Sequence, residues 1–263
     1  MYGEWAEEEV YLLSGLIEPG ATVFDLGANV GTHTIALSRL VGSHGRVIAV
    51  DGQSRASALL GINIALNNAT NVHRIEGVVS SIDSIVFEAA EQPLSDNFGA
   101  VHFRDTGNIR TTEPRRPIVS FRLDSLGYQK CDLIKADVEG MELDVFKGGW
   151  NLISKTRPAI YFEQNSDTAT FPELFRMFSE LGYRLFLHVA NPFNARNFNA
   201  CTENIFGGAC ETNILAIPAE KDLVLDPSIN LREIGHEDFE IKFTPQPQGW
   251  EMPIRAYAMY PSL

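Results

Sequence analysis

Three acids crowd around one glycine in K-A-D-V-E-G-M-E, residues 135–142, directly after the apolar run C-D-L-I-K-A. Asp137, Glu139 and Glu142 stand where a buried strand should end. Carboxylates at such a place have three uses: taking a proton from a substrate, holding a hard cation, or opening a helix. Asp137 and Glu139 are two residues apart, so a strand that persisted would turn both to one side at the sheet's carboxyl edge, where open α/β sheets bind ligands. Asp137 would equally serve as the cap of a following helix, with Glu139 and Glu142 favourable at its positive end. Glu142 reads as a helix-start residue.

A second stretch narrows the ligand. V-F-D-L-G-A-N-V-G-T-H, residues 23–33, is a strand that runs into glycine and opens a helix. Such a turn exposes backbone N–H groups and lets a ligand approach the main chain. A P-loop would need Lys-Ser/Thr after its last glycine, and here Gly31 precedes Thr32 and His33. The dinucleotide fingerprint needs three glycines, and this turn has only Gly27 and Gly31, so the middle glycine where a pyrophosphate would approach is missing. Asp25, just before the turn, suits a cation better than a phosphate. S-adenosylmethionine carries an ammonium and a sulfonium and no phosphate. Asp51, ending the next strand, stands where a carboxylate accepts both ribose hydroxyls.

The elements needed to position these residues are legible. Residues 4–18 form an amphipathic helix, with Trp5, Leu12, Leu13, Leu16 and Ile17 on one side, stopped by Pro19-Gly20. Strands at 22–26, 46–51 and 72–76 alternate with helices at 32–40 and 55–67, the pattern of a doubly wound half-sheet spanning 20–80. The segment 92–117 is irregular and holds Arg104, Arg110, Arg115 and Arg116; A-V-H-F (100–103) and I-V-S-F-R-L (118–123) are expected to pair as a hairpin. Alternation resumes with a strand at 131–137, a helix at 141–148 ended by Gly148-Gly149, a strand at 159–163 and a helix at 172–181. Strands at 184–189 and 213–218 have only a loop between them and should be antiparallel neighbours. The tail, 219–263, shows no periodicity. One domain over 1–263 is expected.

Composition sets limits. The 263 residues carry a net charge of −13, with 44% hydrophobic and 21% charged residues. That charge argues against a broad phosphate-backbone surface, and hence against a nucleic-acid acceptor. Cys131, Cys201 and Cys210 make neither a disulfide framework nor a metal-type spacing. The acidic start, E-W-A-E-E-E, is unlike a signal peptide, and there is no apolar run of membrane-spanning length. A reduced, cytoplasmic protein is expected.

The chain resembles the FkbM family of S-adenosylmethionine-dependent methyltransferases. The matching pieces are Y-G-E-W-A-E-E-E (2–9), V-F-D-L-G-A-N-V-G-T-H-T (23–34), N-I-A-L-N (63–67), F-R-L-D-S-L (121–126), D-L-I-K-A-D-V-E-G-M-E (132–142) and R-P-A-I-Y-F-E (157–163). They span residues 2–218 in order, and D-V-E-G-M-E is the most specific. The resemblance implies a Rossmann-like class I methyltransferase: an α/β fold with a seven-stranded, mostly parallel sheet of order 3-2-1-4-5-7-6 and helices on both faces. It implies methyl transfer, usually to oxygen of a small-molecule or carbohydrate-like acceptor. It also implies that Asp25, Gly27, Ala28, Asn29, Gly31, Thr32 and Asp51 form the cofactor site. The family often continues the second strand's acid as E-P-x-P, whereas this chain has D-G-Q-S at 51–54, and the tail 219–263 matches nothing in it.

Methyl transfer to an alcohol needs positioning and a proton acceptor. Asp137, Glu139 and Glu163 are the candidates. A magnesium site built from Asp137, Glu163 and Asn165, with Gln164 beside them, is the alternative and not the favoured one, by likeness to catechol-type enzymes. His33 and His188 read as packing residues, and the arginine cluster as either an anion contact or a solvated loop. N-P-F (191–193) lies too late to be the N-P-P-Y-like motif that nucleic-acid amino-methyltransferases carry after strand four. An NAD-type oxidoreductase and a non-catalytic small-ligand-binding domain are the competing readings.

Overall fold

The computed structural model describes residues 6–83, 86–90, 115–164, 170–194, 196–204, 206, 210–227 and 229–235, with only the backbone described for 86–90 and 115–116. In chain order the elements are α1 (Glu7–Ser14), β1 (Thr22–Leu26), α2 (Thr32–Val41), β2 (Arg46–Asp51), α3 (Ser54–Leu66), β3 (Val72–Glu76), β4 (Val78–Val79), β5 (Val86–Ala90) and β6 (Arg115–Phe121). After a 3-10 turn at Leu123–Leu126 come β7 (Leu133–Ala136), α4 (Glu142–Gly148), α5 (Trp150–Thr156), β8 (Ala159–Glu163), α6 (Phe171–Glu180), β9 (Tyr183–Ala190), β10 (Glu211–Pro218) and β11 (Leu231–Ile234).

The main sheet runs β3-β2-β1-β7-β8-β10-β9-β11. Its first seven strands keep the expected order; the correction is in the count, because β11 adds an eighth strand antiparallel to β9. Only four residues long, L-R-E-I alternates too briefly to stand out from the rest of the tail. β1, β2, β3, β7 and β8 are parallel, and β10 returns antiparallel to β8 with β9 beside it. Strands β4, β6 and β5 form a second, small sheet. The segment 115–121 therefore pairs with 86–90 and 78–79; its expected partner, 100–103, lies outside the described residues, as do Arg104 and Arg110.

Two apolar layers flank the main sheet. Phe24, Leu26, Ile134, Ala136, Ile160 and Phe162 face α4, α5 and α6 on one side. Val23, Leu133, Tyr161 and Leu215 face α1 and α2 on the other, where Leu12 and Leu13 are fully buried. Burying each such leucine is worth roughly 1.5–3 kcal/mol, which ties the short α1 to the sheet. Helix α1 is shorter than the expected 4–18, since Gly15 caps it. Gly148 does end α4, yet α5 follows after a single residue. No helix of the described residues is long and apolar enough to cross a membrane.

Candidate active site

Strand register alone brings charge to the α1/α2 side of the sheet. Asp25 of β1 is the cross-strand partner of Lys135 of β7, and Lys135 in turn partners Tyr161 of β8. Alternation puts these side chains on the same face as Val23 and Leu133, one step nearer the carboxyl edge. Asp25 is 0% exposed and Lys135 4%. The Lys135 ammonium lies 3.6 Å from Asp25 Oδ1, 3.3 Å from Asp137 Oδ2 and 3.4 Å from the Gly27 carbonyl oxygen. Burial pushes its pKa down, but the charges of Asp137, Asp25 and Glu9 outweigh burial and hold it above the usual lysine range. Thr34 donates its hydroxyl to the other oxygen of Asp25 at 2.5 Å.

A cavity of about 580 Å³ opens along this edge, inside the size range of small-molecule sites. One end is made mainly of backbone. Gly27 has φ +74°, and a Cβ there would come within 1.7 Å of the Asp137 carbonyl oxygen, so only glycine lets the β1 turn pass beneath the end of β7. Asn29, also left-handed at φ 48°, donates its N–H to Asp51 Oδ2 at 2.7 Å, while Gln53 N–H donates to Asp51 Oδ1 at 2.7 Å. Burial pushes the Asp51 carboxyl up, partly offset by those two N–H groups. Each carboxylate oxygen keeps a second lone pair for a ligand hydroxyl.

The other end is a ring of acids from separate elements: Glu9 of α1, Asp137 and Glu139 after β7, Glu163 ending β8 and Glu211 opening β10. Asp137, Glu139 and Glu163 each bring a carboxylate oxygen within 4.8 Å of the others. Burial first, then the charges of Asp137 and Glu139, push Glu163 up to about 8. Glu9 and Glu211 are joined by a hydrogen bond: burial and Glu9 push Glu211 up, while Glu9, despite burial, is held down by His33, Glu211 and Lys135. His33 Nε2 lies 3.2 Å from Glu9 Oε2, and Asn213 donates to Glu9 Oε1 at 3.0 Å.

Several expectations need adjusting. Strand β7 stops at Ala136 and Glu139 takes φ 54°, so Asp137 and Glu139 converge through a turn rather than along a strand. Asp137 does not cap α4: the capping position is Met141, with no side-chain cap. Glu142 does begin α4, and its buried carboxylate reaches back to accept the N–H groups of Val138 at 3.4 Å and Gly140 at 3.3 Å. Gly27, Asn29, Thr32, Asp51, Asp137, Glu139 and Glu163 lie on the cavity wall. Asp25, Ala28 and Gly31 lie behind it; Asp25 acts through Lys135, and Gly31 has φ +95° at the start of α2. Asn165 lies outside the described residues; among the described ones, the oxygen trio brought together is Asp137, Glu139 and Glu163. His188 is buried against Tyr161, whose hydroxyl is 2.8 Å from His188 Nδ1, and His33 is buried beneath Glu9.

Sequence reasoning passed over Lys135 and Glu9. The signal for Lys135 was a lone cation inside an otherwise apolar, doubly covered strand. For Glu9 it was spacing, since 9, 12 and 13 share the buried face of α1. Glu211 opens a strand expected to begin two residues later, at Asn213.

The sequence profile described as the methyltransferase FkbM domain matches residues 25–185. The chain belongs to the FkbM methyltransferase family. Among solved structures, a methyltransferase FkbM from Methylobacillus flagellatus shares the fold, at TM-score 0.55 and 16% identity over 81% of this chain. This chain spans only 48% of that protein's length. A precorrin-6y C5,15-methyltransferase from Geobacter metallireducens aligns at TM-score 0.49 and 15% identity, over 80% of this chain and 86% of its own. A putative rRNA-methylase from Clostridium thermocellum aligns at TM-score 0.47 and 11% identity, over 89% and 98%. The expected exclusion of nucleic-acid acceptors draws no support from these comparisons and rests on the net charge and on the late position of N-P-F (191–193). Among curated proteins none matches the chain in sequence.

Proposed function

We propose that this FkbM methyltransferase uses S-adenosylmethionine to methylate a hydroxyl oxygen of a small-molecule or sugar-like acceptor, with the chain 1–263 as one catalytic unit. The observation that carries the reading is a single cavity with Asp51 on a backbone-built wall at one end and Asp137, Glu139 and Glu163 converging at the other. The donor set fits the cofactor. Asp51, already fixed by two backbone N–H groups, has lone pairs left for two ribose hydroxyls, and the acidic end suits a cationic ligand better than a phosphate. When bound, S-adenosylmethionine supplies a methyl group on a positive sulfonium, open to in-line attack.

The chain's own part is to hold the acceptor oxygen in line and take its proton. Asp137 is anchored by Lys135 and, with Glu139, suits the orientation of acceptor hydroxyls. Glu163 has the proton affinity best matched to a working base near neutral pH, because burial and its two acidic neighbours raise it to about 8. The same trio offers hard oxygen donors of the kind magnesium takes. Lys135, 3.3 Å from Asp137, competes with a dication for that carboxylate, so the proposed reaction uses no metal.

Calorimetry with S-adenosylmethionine and with NAD tests the reading. Binding of the first alone is expected; binding of NAD alone would sink it. Turnover measured in excess chelator is expected to match the untreated enzyme, and a loss restored by magnesium would reinstate the metal.

A further inference from the structure

We propose that Glu9 receives the α-ammonium group at the amino-acid end of the cofactor, an assignment that rests on the methyltransferase reading above. The placement follows from the strand order. A nucleoside whose ribose hydroxyls sit on Asp51, at the end of β2, can send its base one way along the carboxyl edge and its remaining substituent the other. Toward β3 and the small sheet the wall offers Gln53, Gly77, Val78 and Val79, which suit a flat base. The other substituent must then cross the Gly27 turn of β1 and arrive over β7, where Lys135 and Glu9 lie.

At that place Lys135 is engaged: its ammonium has three neighbouring oxygens, on Asp25, Asp137 and Gly27. Glu9 is 3% exposed, lines the cavity, and is joined to both flanks by His33 of α2 and Asn213 of β10. A carboxylate has about four acceptor positions; Asn213, Glu211 and His33 take up to three, leaving capacity for one ligand donor. Mere packing does not explain an acid here. The rest of this face of α1 is leucine, and an ionised carboxylate is costly to bury unless its charge has a use. Glu9 closes the family-like stretch Y-G-E-W-A-E-E-E (2–9) but lies outside the matched profile, 25–185, and neither gives it a role.

The test compares two probes by calorimetry: S-adenosylhomocysteine, which keeps the amino-acid end, and 5′-methylthioadenosine, which lacks it. Glu9→Gln is expected to weaken S-adenosylhomocysteine by about ten- to hundredfold, the range for a charged hydrogen bond, and to leave 5′-methylthioadenosine within twofold. Glu9→Asp retains the charge with a shorter reach and serves if thermal melting shows the Gln variant to be unfolded; it should show the same selectivity at smaller size. Equal weakening of both probes, or of neither, would overturn the assignment while leaving the methyltransferase reading intact. If the unaltered protein bound neither probe, the methyltransferase reading would fall and the Glu9 assignment with it.

Discussion

The two ends of the cavity are built in opposite ways. At the end that carries Asp51, backbone does the positioning: Gly27 and Asn29 adopt left-handed conformations, and Asp51 is fixed by the N–H groups of Asn29 and Gln53. At the acidic end, side chains from α1, β7, β8 and β10 hold one another through charge, with Lys135 between Asp25 and Asp137. A backbone-built site tolerates side-chain change and fails when the chain path is blocked. A charge-built site keeps its path and fails when one charge is removed.

The largest effect should come from Lys135→Met. It leaves Asp25, with no exposed surface, and Asp137 without their cation. Removing one member of a buried charged set typically destabilises by about 3–5 kcal/mol, and chemical denaturation would read it. A change below about 1 kcal/mol would mean that the acidic end is not held together by this ammonium. Gly27→Ala attacks the other end and should follow at about 3 kcal/mol, from the left-handed strain and the forced shift of the Asp137 carbonyl. Because that carbonyl belongs to the acidic end, Gly27→Ala should also lower turnover in whatever fraction stays folded; intact turnover would separate the two ends that the geometry joins.

Glu163→Gln comes next and concerns rate more than stability. With the base near 8, turnover in the unaltered enzyme should rise as pH passes through about 8 and then level off. The substitution should lower turnover about a hundredfold and abolish that rise. A surviving pH limb would move the proton acceptor to Asp137 or Glu139.

The same contrast explains what could be read from the chain beforehand. The Asp51 end is local: D-L-G-A-N-V-G is one continuous turn, its glycines required by path, and the parallel strands β1, β2, β3, β7 and β8 show in their own short stretches of sequence. The acidic end is not local. Glu9, Lys135, Glu163 and Glu211 become neighbours only once the order β1-β7-β8-β10 is set, and no spacing in the chain encodes that. Lys135 illustrates the difference, for its cross-strand pairing with Asp25 depends on register across more than a hundred residues. The strand at 86–90 was not legible for a related reason: V-F-E-A-A has weak alternation, and its strand character comes from pairing with β6.

The smallest effect on turnover distinguishes a carboxylate that shapes the turn from those that line the cavity. Glu142 is 4% exposed, and burial pushes it from 4.5 up to about 7, against the pull of the N–H groups it accepts. A carboxyl that keeps its proton more tightly when folded makes the fold lose stability as pH rises from the unfolded value to the folded one. That loss should run between about pH 4.5 and 7 and stop above it. Glu142→Gln keeps an oxygen for Val138 and Gly140 but cannot ionise, so it should match the unaltered protein near pH 4.5 and exceed its stability by up to about 3 kcal/mol at pH 8. Parallel stability curves for the two proteins would show that Glu142 stays charged in the fold, and would return it to the group of acids serving the cavity rather than the turn beneath it.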